Sequence, residues 1–215
     1  GEIHYGESIG ILGENALGKT TFVKLLAGSL SPDEGTIPDA TTVSYKPQYI
    51  APDTTDSVRE RFAEVTDIYS QSFQTRIRDP FDLEEFYDQP LKSLSGGELQ
   101  RVGIALCFAR DADVYLLDEP SAFLDVDKRV SIADHIRQFS ERIDQPVLVV
   151  DHDLFVIDRV ADRLTVFDGI PGEQGYAASP QSMRNGMNTF LSSVGITFRR
   201  DNRTGRPRVN KPGSQ

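Results

Sequence analysis

A chain of 215 residues that is 38% apolar and 26% charged has the composition of a globular protein with one sizeable core. No apolar run approaches the roughly 18 residues of a membrane helix, and the opening GEIHYGESIGILG lacks the basic stretch and long apolar core of a secretory signal, so a cytoplasmic chain without a membrane span is predicted. The net charge of −10 divides into +6 from Arg184 to Gln215 and −16 before it, an acidic body with a basic end.

SIGILG (8–13) is a short apolar run that ends in glycine, and TFVKLLAG (21–28) has helical spacing at Phe22, Leu25 and Leu26 before a glycine stop. The order is strand, loop, helix. SPDEG (31–35) is a turn by composition, and VSYKPQ (43–48) is a strand broken by Pro47. Val58, Phe62, Val65 and Ile68 mark one face of a helix, and residues 54–110 read as a small helical subdomain. Within it, Cys107 lies in the apolar stretch VGIALCFAR and is expected in the core; as the one cysteine it permits no intrachain disulfide and no cysteine metal cluster.

VYLLD (114–118) and VLVV (147–150) are continuous apolar runs of the kind buried on both faces, alternating with helical stretches at 126–142 and 153–160. That pattern predicts an α/β fold with a parallel sheet. LTVFDG (164–169) reads as a further strand, 171–180 as a loop-rich connection and 181–193 as a helix before the basic tail. The expected division is 1–169 for the α/β domain and 170–215 for an appended segment. The absence of an initial Met, with a strand so soon after the start, leads us to expect part of a longer protein.

GENALGKT (13–20) fits G-x-x-x-x-G-K-[ST] between a predicted strand and a predicted helix, the context the phosphate-binding loop requires. Gly13 and Gly18 let the backbone curl so that its N–H groups and the helix end face an anion. The candidate nucleotide ligands are Gly13, Asn15, Gly18, Lys19, Thr20 and Thr21, with Lys19 on the β- and γ-phosphates and Thr20 on Mg²⁺. In VYLLDEP, Asp118 arrives at a strand's carboxyl end, where it can reach Mg²⁺, and Glu119 is the candidate general base for the attacking water. His152 ends the next apolar strand at the same edge, either as a structural residue or as one that meets the γ-phosphate or the water. Gln48 is open in the same way: a turn residue, or a side-chain oxygen for Mg²⁺ or the water.

LSGGELQ (94–100) sets a second glycine pair at a helix start. Ser95 and Glu98 form a capping box, which leaves Gly96 and Gly97 unexplained, since each costs about 1 kcal/mol against alanine in a helix. Glycines there would open a helix N-terminus to an anion. GENALGKT, Gln48, LSGGE, VYLLDEP, Asp125 of SAFLD and His152 of VVDHD together resemble the ATP-binding cassette (ABC) ATPases over about residues 3–168. The resemblance implies ATP and Mg²⁺ as cofactors and head-to-tail pairing, in which Ser95, Gly96 and Gly97 close on the ATP of a second cassette. It also implies that Ser121 to Asp125 cross to that partner and that Gln48 and His152 serve the γ-phosphate end. Ala16 departs from the pattern where many cassettes have a third glycine, alanine being the next smallest residue, and SAFLD is one residue longer than SALD. With only twelve residues before Gly13, the aromatic that usually stacks on adenine is expected to be missing, and weak nucleotide affinity with it.

PQSMRNGMNTFLSSVGITFRRDNRTGRPRVNKPGS, YKPQYI, SAFLD and DRLTVFDGIPG resemble, within that class, the second cassette of the ribosome-recycling ABC ATPases. This resemblance implies that ATP-driven closure with a first cassette of the same polypeptide, or with a homodimer partner, helps split ribosomal subunits, with release factor as a further partner. It also implies iron–sulfur clusters on a domain absent from this chain. The tail is expected to act as a hinge, because Met183, Met187, Phe190, Leu191, Val194, Ile196 and Phe198 suit docking; rRNA binding through Arg199, Arg200, Arg203, Arg206, Arg208 and Lys211 is the competing reading. The motor subunit of a membrane transporter shares every cassette motif and is the alternative function. A chromosome-structure ATPase is excluded, because residues 20–94 leave no room for a long coiled coil.

Overall fold

The computed structural model describes residues 2–37, 41–49 and 55–195, and the backbone of 197–200 and 207–210. Six strands form one path in the order β2-β3-β4-β1-β5-β6: β1 (Ser8–Leu12), β2 (Val43–Lys46), β3 (Val114–Asp118), β4 (Val147–Val150), β5 (Arg163–Ile170) and β6 (Gln174–Ala177). The four pairings along β2-β3-β4-β1-β5 are all parallel, so the carboxyl ends of β1, β2, β3 and β4 share one edge. β6 and the short β7 (Gln181–Ser182) pair antiparallel with β5.

Successive strand residues feed two cores, as the two-residue period of a strand requires. Leu116, Leu148, Val150, Ile9 and Ile11 face α1 (Lys19–Leu26) with Val23 and Phe167. Leu117, Val147, Val149 and Leu164 face the opposite core with α4 (Gly96–Ala109), α5 (Val126–Ser140) and α6 (Leu154–Val160). Covering both faces explains why β4, and β3 up to its terminal Asp118, lack an alternating polar face.

The predicted helix through Val58, Phe62, Val65 and Ile68 is shorter: α2 spans Val58–Ala63. Asp67 accepts from the Tyr69 N–H, a local bond that competes with helix continuation, and a new turn, α3 (Gln71–Phe73), starts from the Ser70 cap. A π-helical turn follows at Gln74–Arg78. Cys107 is fully buried, and its neighbours tie α4 to β2: Ser44 Oγ donates to the Cys107 carbonyl at 2.7 Å and the thiol donates to the Ser44 carbonyl at 3.4 Å.

The expected loop at 171–180 contains β6, and β5 itself runs to Ile170, across the expected 169/170 division. α7 (Met183–Ser193) then packs on β5 so closely that a Cβ on Gly186 would sit 2.5 Å from that of Leu164. Leu191 is buried, and Met183, Met187 and Phe190 pack against the core. β8 (Thr197–Arg200) and β9 (Pro207–Asn210) pair as a hairpin. Ile196, Arg203, Arg206 and Lys211 lie outside the described residues, as do the side chains of Phe198, Arg199, Arg200 and Arg208.

Candidate functional site

The loop Gly13–Gly18 leaves β1 at the shared edge and enters α1. Gly13 lies against β5, where a Cβ would come within 2.7 Å of Phe167 Cβ. Gly18 takes φ 87° at the helix cap, a left-handed conformation with no atom within 4 Å of where a Cβ would stand, so its surface is open to a ligand. Ala16 also has a positive φ, 62°. Its replacement of a glycine is therefore a matter of conformation rather than size, at about 1 kcal/mol for an L-residue. The β5–β6 hairpin braces the loop: Gly172 N–H donates to the Ala16 carbonyl at 2.9 Å, and at Gly175 any Cβ would overlap the Leu17 carbonyl.

Lys19 is buried, and its Nζ donates to the carbonyls of Gly13 (2.8 Å) and Glu14 (2.7 Å). Burial lowers its pKa below the ordinary lysine value, opposed by the charges of Glu119, Asp118 and Glu14. Asn15 and Thr21 are exposed. The Thr20 hydroxyl neighbours the carboxylate of Asp118, whose Oδ2 accepts from Tyr45 Oη at 3.4 Å.

Asp118 ends β3 with no exposed surface, and burial pushes its carboxyl above the usual range even though the neighbouring Thr20 hydroxyl opposes the shift. Its Oδ1 has no hydrogen-bond partner. An orphaned buried carboxylate oxygen beside a threonine hydroxyl fits a hard divalent cation that takes oxygen ligands. Among the described residues no three His, Cys, Asp or Glu side chains cluster as a metal site. Cys107, alone and buried, offers nothing to an iron–sulfur cluster.

Glu119 takes φ 47°, a left-handed turn that swings its side chain to the sheet edge while its N–H donates to the Val150 carbonyl at 2.7 Å. Two expected residues meet there. His152 Nε2 lies 2.9 Å from Oε1, and Gln48 Nε2 donates to Oε2 at 2.8 Å. The strand ends of β2, β3 and β4 thus converge on one carboxylate, half-buried and open on its remaining side to a cleft lined by Ser121, Arg129, Asp151 and His152.

Two further residues escaped the sequence reading. Asp151 is buried and accepts from Ser121 N–H (3.0 Å), Ser121 Oγ (2.8 Å) and Asp153 N–H (2.9 Å), fixing the segment after Glu119 to the segment that bears His152. Its signal was a second acid beside the chosen histidine in VVDHD. Lys46 is 1% exposed, and its Nζ donates to the carbonyls of Asp118 (2.9 Å) and Glu119 (3.2 Å). Burial lowers its pKa to about 8, opposed by Asp118 and Asp151.

Ser95, Gly96 and Gly97 are not joined to this cluster. Ser95 caps α4 in the expected box with Glu98, and Ser95 and Gly96 are exposed. The glycines have a role inside the chain as well: a Cβ on Gly96 would lie 3.3 Å from Phe123 Cβ, and one on Gly97 would lie 3.3 Å from Leu124 Cδ2. The additional residue of SAFLD is accommodated at Phe123, which takes φ 63° and is 71% exposed. Asp125 caps α5 by accepting from Lys128 N–H at 2.9 Å.

The ABC transporter family model matches residues 1–122. The chain belongs to the ABC ATPase family. An uncharacterised ABC transporter ATP-binding protein of Methanocaldococcus jannaschii is 51% identical over the whole chain, which covers 36% of that protein. A solved RNase-L inhibitor is 52% identical with a TM-score of 0.89, and the chain covers 42% of it. A model of ribosome-bound archaeal Pelota and ABCE1 contains a chain 51% identical, with a TM-score of 0.91 and 37% of its length covered. The cassette resembles the ABCE1 and RNase L inhibitor group along its full length, while spanning only about a third of the curated relatives' length.

Proposed function

We propose that this chain is the ATP-hydrolysing second cassette of a cytoplasmic ribosome-recycling ATPase. The observation that carries the reading is the Glu119 carboxylate, held between His152 and Gln48 beside the orphaned oxygen of Asp118. Lys19 and the N–H groups of the Gly13–Gly18 loop would bind the phosphates. Thr20, Asp118 and Gln48 would hold Mg²⁺, which when bound offsets negative charge on the phosphates. Glu119 takes a proton from water as the water oxygen bonds to the γ-phosphorus and the bond to the β-phosphate oxygen breaks. His152 orients that carboxylate and the water.

Ser95, Gly96 and Gly97 would close on the ATP of a partner cassette, either in the same polypeptide or in a second copy, and Ser121 to Asp125 would cross to it. Exposed Phe123 beside Gly96, with exposed Val126 at the start of α5, supplies apolar surface for that contact. Residues 170–215 act as the hinge segment, supported by the docking of α7 on β5. ATP-driven closure then does mechanical work on bound ribosomal subunits, with release factor and rRNA as further contacts. The likeness to ribosome-bound ABCE1 supports this assignment.

The test is light scattering of ribosomes mixed with the full polypeptide that bears this cassette. ATP should lower the scattering as subunits separate. Unchanged scattering, with ATP still consumed, would reject recycling and leave the ATPase.

A further inference from the structure

Lys46 stands outside the chemistry just assigned, yet it is among the largest fully buried side chains of the molecule. β2 places it opposite Leu117 in the parallel register, so its chain runs beneath the end of β3. Burying an ammonium is costly unless its donors are satisfied. No carboxylate lies within ion-pair distance of it among the described residues; the ammonium is bound to the backbone carbonyls of Asp118 and Glu119.

Those two carbonyls flank the peptide where the chain leaves β3 and Glu119 enters its left-handed turn at φ 47°. A non-glycine residue stays in that region only when its surroundings hold it there. Three contacts do so. Val150 accepts from the Glu119 N–H, Asp151 binds Ser121 through backbone and hydroxyl, and Lys46 holds the carbonyls on the opposite side. Of the three, only Lys46 places a charged donor on both peptide units that set the direction of the Glu119 side chain.

We infer that Lys46 is a positioning residue for hydrolysis, clamping the Asp118 and Glu119 carbonyls so that the turn aims the Glu119 carboxylate at the water. This rests on Glu119 as the general base. An apolar chain of similar length fills the same space without the clamp, which makes Lys46→Met the informative substitution. It acts on the turn and leaves the phosphate-binding loop alone.

The experiment measures single-turnover ATP hydrolysis per bound nucleotide in the full polypeptide, for K46M, E119Q and the double variant. K46M should lower the hydrolysis rate about 10-fold with nucleotide affinity within about 2-fold of wild type, and should change the E119Q rate by less than about 2-fold, because it works through Glu119. A K46M rate per bound nucleotide equal to wild type overturns the inference, as does an equal further loss in the E119Q background or a parallel loss of affinity. If E119Q itself hydrolyses at the wild-type rate, the base assignment is what fails. Should K46M not fold, Lys46→Gln, which keeps an N–H donor on a shorter chain, is put through the same cycle with the same expectations at a smaller, about 3-fold, loss.

Discussion

The hydrolytic edge and the LSGGE segment are both built around glycines at helix starts, but they differ in how completely this chain satisfies them. At the edge, Lys19 is bonded to the loop carbonyls, Glu119 is held by Gln48 and His152, and Lys46 bridges the carbonyls of Asp118 and Glu119. At residues 94–100, the capping box of Ser95 and Glu98 is closed on itself, a Cβ on Gly96 or Gly97 would meet Phe123 and Leu124 among the described residues, and Ser95 and Gly96 are exposed. On the proposed function, the edge binds and orients a nucleotide with its own groups. The second glycine pair, on the same proposal, acts instead on what another surface brings.

The sharpest way to break this contrast is a pair of substitutions. Lys19→Ala removes a buried cation from the phosphate loop and should weaken ATP binding roughly 30- to 100-fold, the scale of charge-assisted hydrogen bonds. Gly97→Val should leave ATP affinity within about 2-fold while lowering turnover of the paired cassettes; isothermal titration beside a steady-state assay reads both. Equal loss of affinity in the two variants would erase the distinction.

Asp151→Asn comes next. It turns the acceptor of three hydrogen bonds into a neutral amide and should cost about 2 kcal/mol of stability, visible as a lower midpoint in urea. Smaller still is Ala16→Gly: relief of the left-handed strain is partly offset by greater unfolded-state entropy, leaving a gain of about 0.5 kcal/mol.

Cys107 tests the core beneath both regions. Burial pushes its thiol up to about 11 from 9.0, so between those values the unfolded thiol loses its proton and the folded one keeps it. The unfolded state binds fewer protons there, and stability must fall as pH rises through the window. Replacing Cys107 with alanine should flatten that dependence in denaturant melts at pH 8 and pH 10, and native Cys107 should resist maleimide at pH 8.

Much of the edge was legible because its residues sit at strand ends, and a parallel sheet brings strand ends together whatever their distance in sequence. GENALGKT, VYLLDEP and VVDHD each announce themselves by an apolar run followed by chemistry. Lys46 did not, because the alternation in VSYK is inverted: Ser44 and Lys46 take the fully buried face and the more apolar Val43 and Tyr45 the half-buried one, contrary to hydrophobic patterning. β6 was missed for a related reason. QGYA has little strand propensity of its own, and it is held by pairing with β5 and by the space that Gly175 leaves for Leu17. The tight contacts of Gly96 and Gly97 with Phe123 and Leu124 join segments more than 25 residues apart, which no local pattern reports.

The most direct measurement is single-turnover hydrolysis by Glu119→Gln in the full polypeptide, with bound ATP quantified in the same sample. The account predicts unchanged ATP binding and a rate lower by about 10²-fold or more, the usual scale for a general base. Hydrolysis at the wild-type rate would contradict it, and the carboxylate between His152 and Gln48 would then be a structural feature of the strand ends.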